Sequence, residues 1–95
     1  MSGACPVFGF TVRFALRDAV PDDAGDAITS SLVELLEANG MSMGGGGDRV
    51  VEVVVSRDAT QATDADRQLV LQWATLWSRD ADFRVSDLVD LNALD

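Results

Sequence analysis

The sequence predicts an α+β sandwich in the order strand, helix, strand, strand, helix, strand, with a four-stranded antiparallel sheet carrying both helices on one face. Three observations predict it. Residues 7–17 alternate strictly: Phe8, Phe10, Val12, Phe14 and Leu16 take every second position, with Gly9, Thr11, Arg13, Ala15 and Arg17 between them. That is the period of a strand with one apolar face. Two later stretches repeat apolar residues at spacings of three and four, as helices that each cover one side of a sheet do. Between those stretches lies a valine-rich run, residues 49–57, long and apolar enough for a second central strand.

After the opening strand, R-D-A-V-P-D-D-A-G-D turns the chain into a helix over residues 23–39. Asp22 or Asp23 is placed to cap its first turn, where a carboxylate accepts orphan N–H groups and meets the positive end of the helix dipole. Ala24, Ile28, Leu32, Leu35 and Leu36 form its apolar stripe, and Asn39-Gly40 closes it. Met41-Ser42-Met43 then alternates briefly, followed by Gly44, Gly45, Gly46 and Gly47, and Asp48-Arg49 leads into V-V-E-V-V-V-S-R. This reads as a short strand, a glycine tip and a longer strand paired as a hairpin, with Val51, Val53 and Val55 facing the core. Four glycines also invite comparison with a phosphate-binding loop. Such a cradle opens a helix, however, and a strand comes next here.

Thr63 to Asp66 reads T-D-A-D, a capping-box-like start. Leu69, Val70, Trp73, Ala74 and Trp77 make the apolar face of the second helix, which is expected to end near Arg79; Leu71 lies off that stripe. Burial accounts for the two tryptophans better than ligand stacking does. The last strand is expected over residues 88–91, or from Phe83 with an irregularity near Ser86-Asp87. Strand order and lengths together give the split βαβ pattern of a ferredoxin-like βαββαβ sandwich, its first and third strands in the middle of the sheet.

A chain of 95 residues with 47% hydrophobic residues suits a single domain, residues 1–6 being expected as a flexible start. No run of about 18 uncharged apolar residues occurs, so no membrane span is expected. Residues 1–12 are apolar, but no basic segment precedes them and Arg13 and Arg17 break the apolar run, so a cytoplasmic protein is expected. Cys5 is the sole cysteine, which excludes an internal disulfide. Asp18, Asp22, Asp23 and Asp26 offer oxygen ligands, yet they lack the D-x-[DN]-x-[DN]-G order of a calcium loop. No metal site and no cofactor are predicted. The chain has no histidine, lysine or tyrosine, and no carboxylate pair is set in an obvious cleft for acid–base work. An acylphosphatase-like hydrolase would need a glycine-rich loop after the first strand, where an acidic turn stands instead. No enzyme is expected.

Sixteen acidic residues against seven arginines give a net charge of −9, which repels polyanions at long range. If the phenylalanine face is buried, Arg13 and Arg17 stand on the open face of the sheet. Arg49 and Arg57 flank the neighbouring strand, and Arg84 joins from an edge. These five are the candidate partner-binding residues; the competing reading is that they pair with Glu52 and nearby aspartates.

Four short motifs run in order over most of the chain: G-F-T-V at residues 9–12, N-G-M-S-M-G-G-G-G at residues 39–47, Thr63 with Leu69, Val70 and Trp73, and S-D-L-V-D-L at residues 86–91. In these the chain resembles the YggL family of small bacterial 50S ribosome-binding proteins. The resemblance implies a non-catalytic accessory protein that associates with the large ribosomal subunit, in assembly or in tuning translation. An RNA-reading sheet displays aromatics for base stacking, and the predicted open face has none. A ribosomal protein is therefore the expected contact rather than bare RNA. No DNA and no membrane partner is expected. A homodimer through the open face, where Val50 and Val54 join Thr11 and Ala15, is the alternative.

Overall fold

A computed structural model describes residues 8–57 and 61–91. The chain forms β1 (Phe8–Leu16), α1 (Asp23–Ala38), β2 (Met41–Gly47), β3 (Val50–Arg57), α2 (Asp64–Thr75), β4 (Ala81–Val85) and β5 (Val89–Asp90). The flexible start expected at residues 1–6, with Cys5, lies outside the described residues, as does Val7.

The strands follow the order β2-β3-β1-β4, every pair antiparallel, and β5 pairs with the start of β1. The two longest apolar strands thus lie inside, where each has a strand on both of its edges. Alternation along β1 sends Phe10, Val12, Phe14 and Leu16 into the core and leaves Arg13 exposed. Val51, Val53 and Val55 of β3 are buried beside them, while Val50 and Val54 point outward. Both helices contribute to this one core, α1 with Ile28, Leu32 and Leu36, α2 with Val70, Trp73 and Ala74. Trp73 joins them: its Nε1–H donates to Ser31 Oγ at 2.9 Å. Its ring meets Phe83 edge-on at 5.4 Å, and Phe83 in turn tilts against Phe14 at 5.3 Å. Phe8, expected on the apolar face, is 38% exposed at the end of its strand.

Several elements depart from expectation for physical reasons. The glycines are not the tip of the hairpin. Gly44 to Gly47 lie within β2, in register with Val54, Val53, Glu52 and Val51, and the chain reverses beyond them at Asp48-Arg49. Asp22 does not cap α1 with its side chain, because its Oδ1 accepts from Arg49 Nη1 at 2.6 Å. The helix α1 stops at Ala38, where Asn39 Nδ2–H donates to the Leu35 carbonyl at 2.8 Å and Gly40 takes a φ of 73°. The helix α2 begins at the expected box, Asp66 N–H donating to Thr63 Oγ1 and Thr63 N–H to Asp66 Oδ2. It ends at Thr75, short of Arg79, as the backbone tightens into Leu76-to-Trp73 and Trp77-to-Ala74 bonds.

The last strand divides in two at Ser86-Asp87, giving a sheet with a fifth short strand. Ser86 replaces regular pairing at the break. Its N–H donates to the Thr11 carbonyl at 2.9 Å, and its Oγ accepts from Thr11 N–H at 2.9 Å while donating to the Asp87 carbonyl. From α2, Arg67 Nε–H donates to the Ser86 carbonyl at 2.6 Å, so the polar groups of the kink find partners. Gly9 is where β5 joins β1. A Cβ there would lie 2.3 Å from the Val55 carbonyl oxygen and 2.8 Å from Leu91 Cδ1.

Candidate functional site

The five candidate arginines separate into two groups. Arg49 holds the turn before α1: its Nη1 donates to the Val20 carbonyl and to Asp22 Oδ1, and its Nη2 to the Arg17 carbonyl. Arg17 donates to the Ser78 carbonyl and pairs with Asp82 at 2.9 Å. Arg57 donates from Nε and Nη2 to the two carboxylate oxygens of Asp66, at 2.8 and 2.6 Å, and from Nη1 to the Asn39 carbonyl. That fork, with help from Thr63, holds the buried Asp66 carboxyl below the usual carboxylate range against the opposing effect of burial. All three arginines have structural partners.

Arg13 and Arg84 do not. They are register partners across β1 and β4, and both side chains are exposed on the open face. Among the described residues, neither makes an ion pair or a side-chain hydrogen bond. Glu52 is the register partner of Arg13 on its other side, and Gly46 is that of Glu52. One row therefore crosses the sheet as Gly46, Glu52, Arg13, Arg84. Directly opposed like charges on one face are destabilising. Among the described residues, the fold carries that cost with no compensating partner for Arg84. A shallow depression lies here, lined by Arg13, Ala15, Asp82, Phe83 and Arg84. Its two guanidinium forks suit a carboxylate or a phosphate, and its one carboxylate, Asp82, pairs with Arg17.

The acidic cluster does not assemble a cation site. Among the described residues no three carboxylates come together to hold a metal ion, and Asp22 is taken by Arg49. No helix is long and apolar enough to cross a membrane.

Of two further features of this face, the period of two gives the first and the reading of the glycines as a tip misses the second. Val50 and Val54 are 47% and 36% exposed, so the face is partly apolar. Gly44 and Gly46 lie on the same face, and a Cβ at either would meet nothing within 4 Å. The signal for the latter was present in the parity of the run, since alternate glycines of a strand share a face.

A family model described as YggL 50S ribosome-binding protein matches residues 4–93. No curated protein matches the chain and no solved structure does. The residues on which the resemblance rests are mostly joints of the fold. Gly9 receives β5, Ser86 bonds Thr11, Thr63 caps α2, and Asn39 with Gly40 turns α1 into β2. They locate the scaffold, and the arginine row stands on the face that scaffold leaves open.

Proposed function

Because the chain belongs to the YggL family of 50S ribosome-binding proteins, we propose that it is a non-enzymatic cytoplasmic accessory protein that docks on the large ribosomal subunit through the open face of its sheet, in assembly or in tuning translation. The observation that carries this reading is the opposed pair Arg13 and Arg84, which has no ion pair or side-chain hydrogen bond among the described residues. Two exposed guanidinium groups held side by side, with no ion pair among the described residues, are free to receive an anionic group of a partner. We take the scaffold as ferredoxin-like, a reading supported by the central place of β1 and β3. The partner is a ribosomal protein rather than bare RNA: the net charge of −9 opposes a polyanion, and the open face offers no aromatic stack. Arg13 and Arg84 then receive an acidic group of that protein, and the surrounding acids meet its basic surface. DNA and membranes are not partners in this reading. A homodimer through the same face draws on Val50 and Val54, but it would bring two chains of charge −9 together.

The test is co-sedimentation of the purified chain with purified 50S subunits at low and moderate salt, for the wild type and for Arg13→Thr with Arg84→Thr. Threonine suits a strand and removes the repulsion, so the double variant should melt no lower than the wild type. Its bound fraction should fall at least about tenfold. Wild-type chain absent from the 50S fraction at both salts, or full binding by the double variant, overturns the proposal. Light scattering that shows a dimer lost in the same variant would select the homodimer.

A further inference from the structure

The glycine run divides into two pairs with different reasons to exist. Gly45 and Gly47 have φ values of 129° and 152°, and a Cβ on either would lie 2.3 or 2.0 Å from a carbonyl oxygen of β3. The backbone requires them. Gly44 and Gly46 have ordinary backbone angles, and open space where a Cβ would go. Glycine inside a strand weakens it, and one use of such a glycine is to leave room for the close approach of a ligand or another backbone.

These two glycines lie on β2, which among the described residues pairs only with β3. The stretch from Met43 to Gly47 also lacks the charges, prolines and bulges by which exposed edges are usually protected. At its start, α1 and β2 form a small, mostly apolar groove lined by Val33, Leu36, Glu37, Met41, Ser42 and Met43. On the open face, Glu52 stands directly beside the bare Gly46 and has no ion pair among the described residues. On its other side Glu52 has Arg13 as register partner, but no ion pair joins the two, and Arg57 and Arg49 are occupied by Asp66 and Asp22.

We infer that the Met43–Gly47 edge of β2 accepts an extended basic segment of a partner protein as an added antiparallel or parallel strand. Main-chain bonds to the free edge supply register. Alternate side chains of the added strand fall on opposite faces. Apolar ones enter the groove below Met43, and arginine or lysine side chains lie along the bare floor of Gly44 and Gly46 to reach Glu52. A second copy of this chain is the wrong occupant, since it carries the same net charge of −9. The inference deepens the 50S reading and rests on it for the choice of a protein partner.

The probe is a synthetic heptapeptide alternating arginine and valine, with a glutamate–valine heptapeptide as control, added to the isotope-labelled chain. Amide shifts and hydrogen exchange are read residue by residue. The basic peptide should slow exchange of the outward amides from Met43 to Gly47, and the acidic one should not. Gly44→Thr with Gly46→Thr fills the floor without touching the backbone; it should melt no lower than the wild type and bind the basic peptide at least about tenfold more weakly. Glu52→Gln should weaken binding while leaving melting unchanged. Protection elsewhere than β2, equal binding of the two peptides, or undiminished binding by the threonine variant overturns the inference. The peptide experiment contains no ribosome, so its outcome is separate from that of 50S sedimentation. Sedimentation of the wild type without protection of β2 removes this inference alone, and protection of β2 without sedimentation removes the 50S reading alone.

Discussion

Replacing Asp66 by alanine is expected to destabilise the fold by about 3 kcal/mol, because the change breaks a largely buried ion pair and a helix cap together. Asp66 is 5% exposed and accepts from Arg57 and from the Thr63 N–H. Its loss leaves the Arg57 fork facing an empty site and opens the first turn of α2. The effect carries a pH signature. Folding holds the Asp66 carboxyl below its unfolded value, chiefly through the Arg57 bonds. Its contribution is therefore complete above the unfolded value of about 3.9 and is lost as pH falls through the lower folded value. Denaturant titrations at neutral pH should show the full gap between wild type and variant, and titrations at successively lower pH below about 4 should show it narrowing. A gap that stays constant into strong acid would mean that Asp66 is not held ionised by Arg57.

Within the glycine run, adjacent substitutions should differ sharply. Gly45→Ala is expected to cost about 3 kcal/mol, since alanine meets both an unfavourable φ and a backbone oxygen of β3 that is fixed in a central strand. Gly44→Ala should be neutral or stabilise by up to about 1 kcal/mol, because it meets open space and removes backbone freedom from the unfolded chain. Melting temperatures of the two variants decide the matter. Equal losses at both positions would show that β2 is not held in this register.

How far the sequence could be read depended on what kind of force places each residue. Burial leaves a periodic trace, so the phenylalanine strand, the Val51, Val53, Val55 face, the stripes of both helices and the exposed Leu71 were legible. The capping box at Thr63 was also legible, because its partners are three residues apart. Long-range hydrogen bonds leave no such trace. Arg49 reaches the Val20 and Arg17 carbonyls and Arg17 reaches Ser78, contacts set by how turns meet in space. For this reason five arginines looked equivalent when, among the described residues, Arg13 and Arg84 alone of the five stand without partners. The glycines were misplaced for a related reason. Their composition signals backbone freedom, but whether that freedom serves a turn or a strand is decided by the carbonyls of β3 across from them. The division of the last strand was foreseen at Ser86-Asp87 because the apolar period fails there, whereas the pairing of β5 with Phe8 and Gly9 was not.

The position of β1 has a consequence for the order in which the chain folds. Each of its sheet partners comes later in the sequence: β3 begins at Val50, β4 at Ala81 and β5 at Val89. As the chain is synthesised from its N-terminus, β1 emerges with its phenylalanines exposed and stays unpaired until about half the protein has been made. The pairing of Phe8 with Asp90 must close a loop of almost the entire chain, at an entropic cost that grows with loop length. The β2–β3 hairpin closes locally and so is expected to form first, offering β1 the edge it joins. In stopped-flow refolding, Val53→Ala should then chiefly slow folding, while Val85→Ala on β4 should chiefly speed unfolding. The reverse pattern would place nucleation at the β1–β4 pair. Until that hairpin exists, the strand that carries three phenylalanines has no sheet partner and is open to self-association.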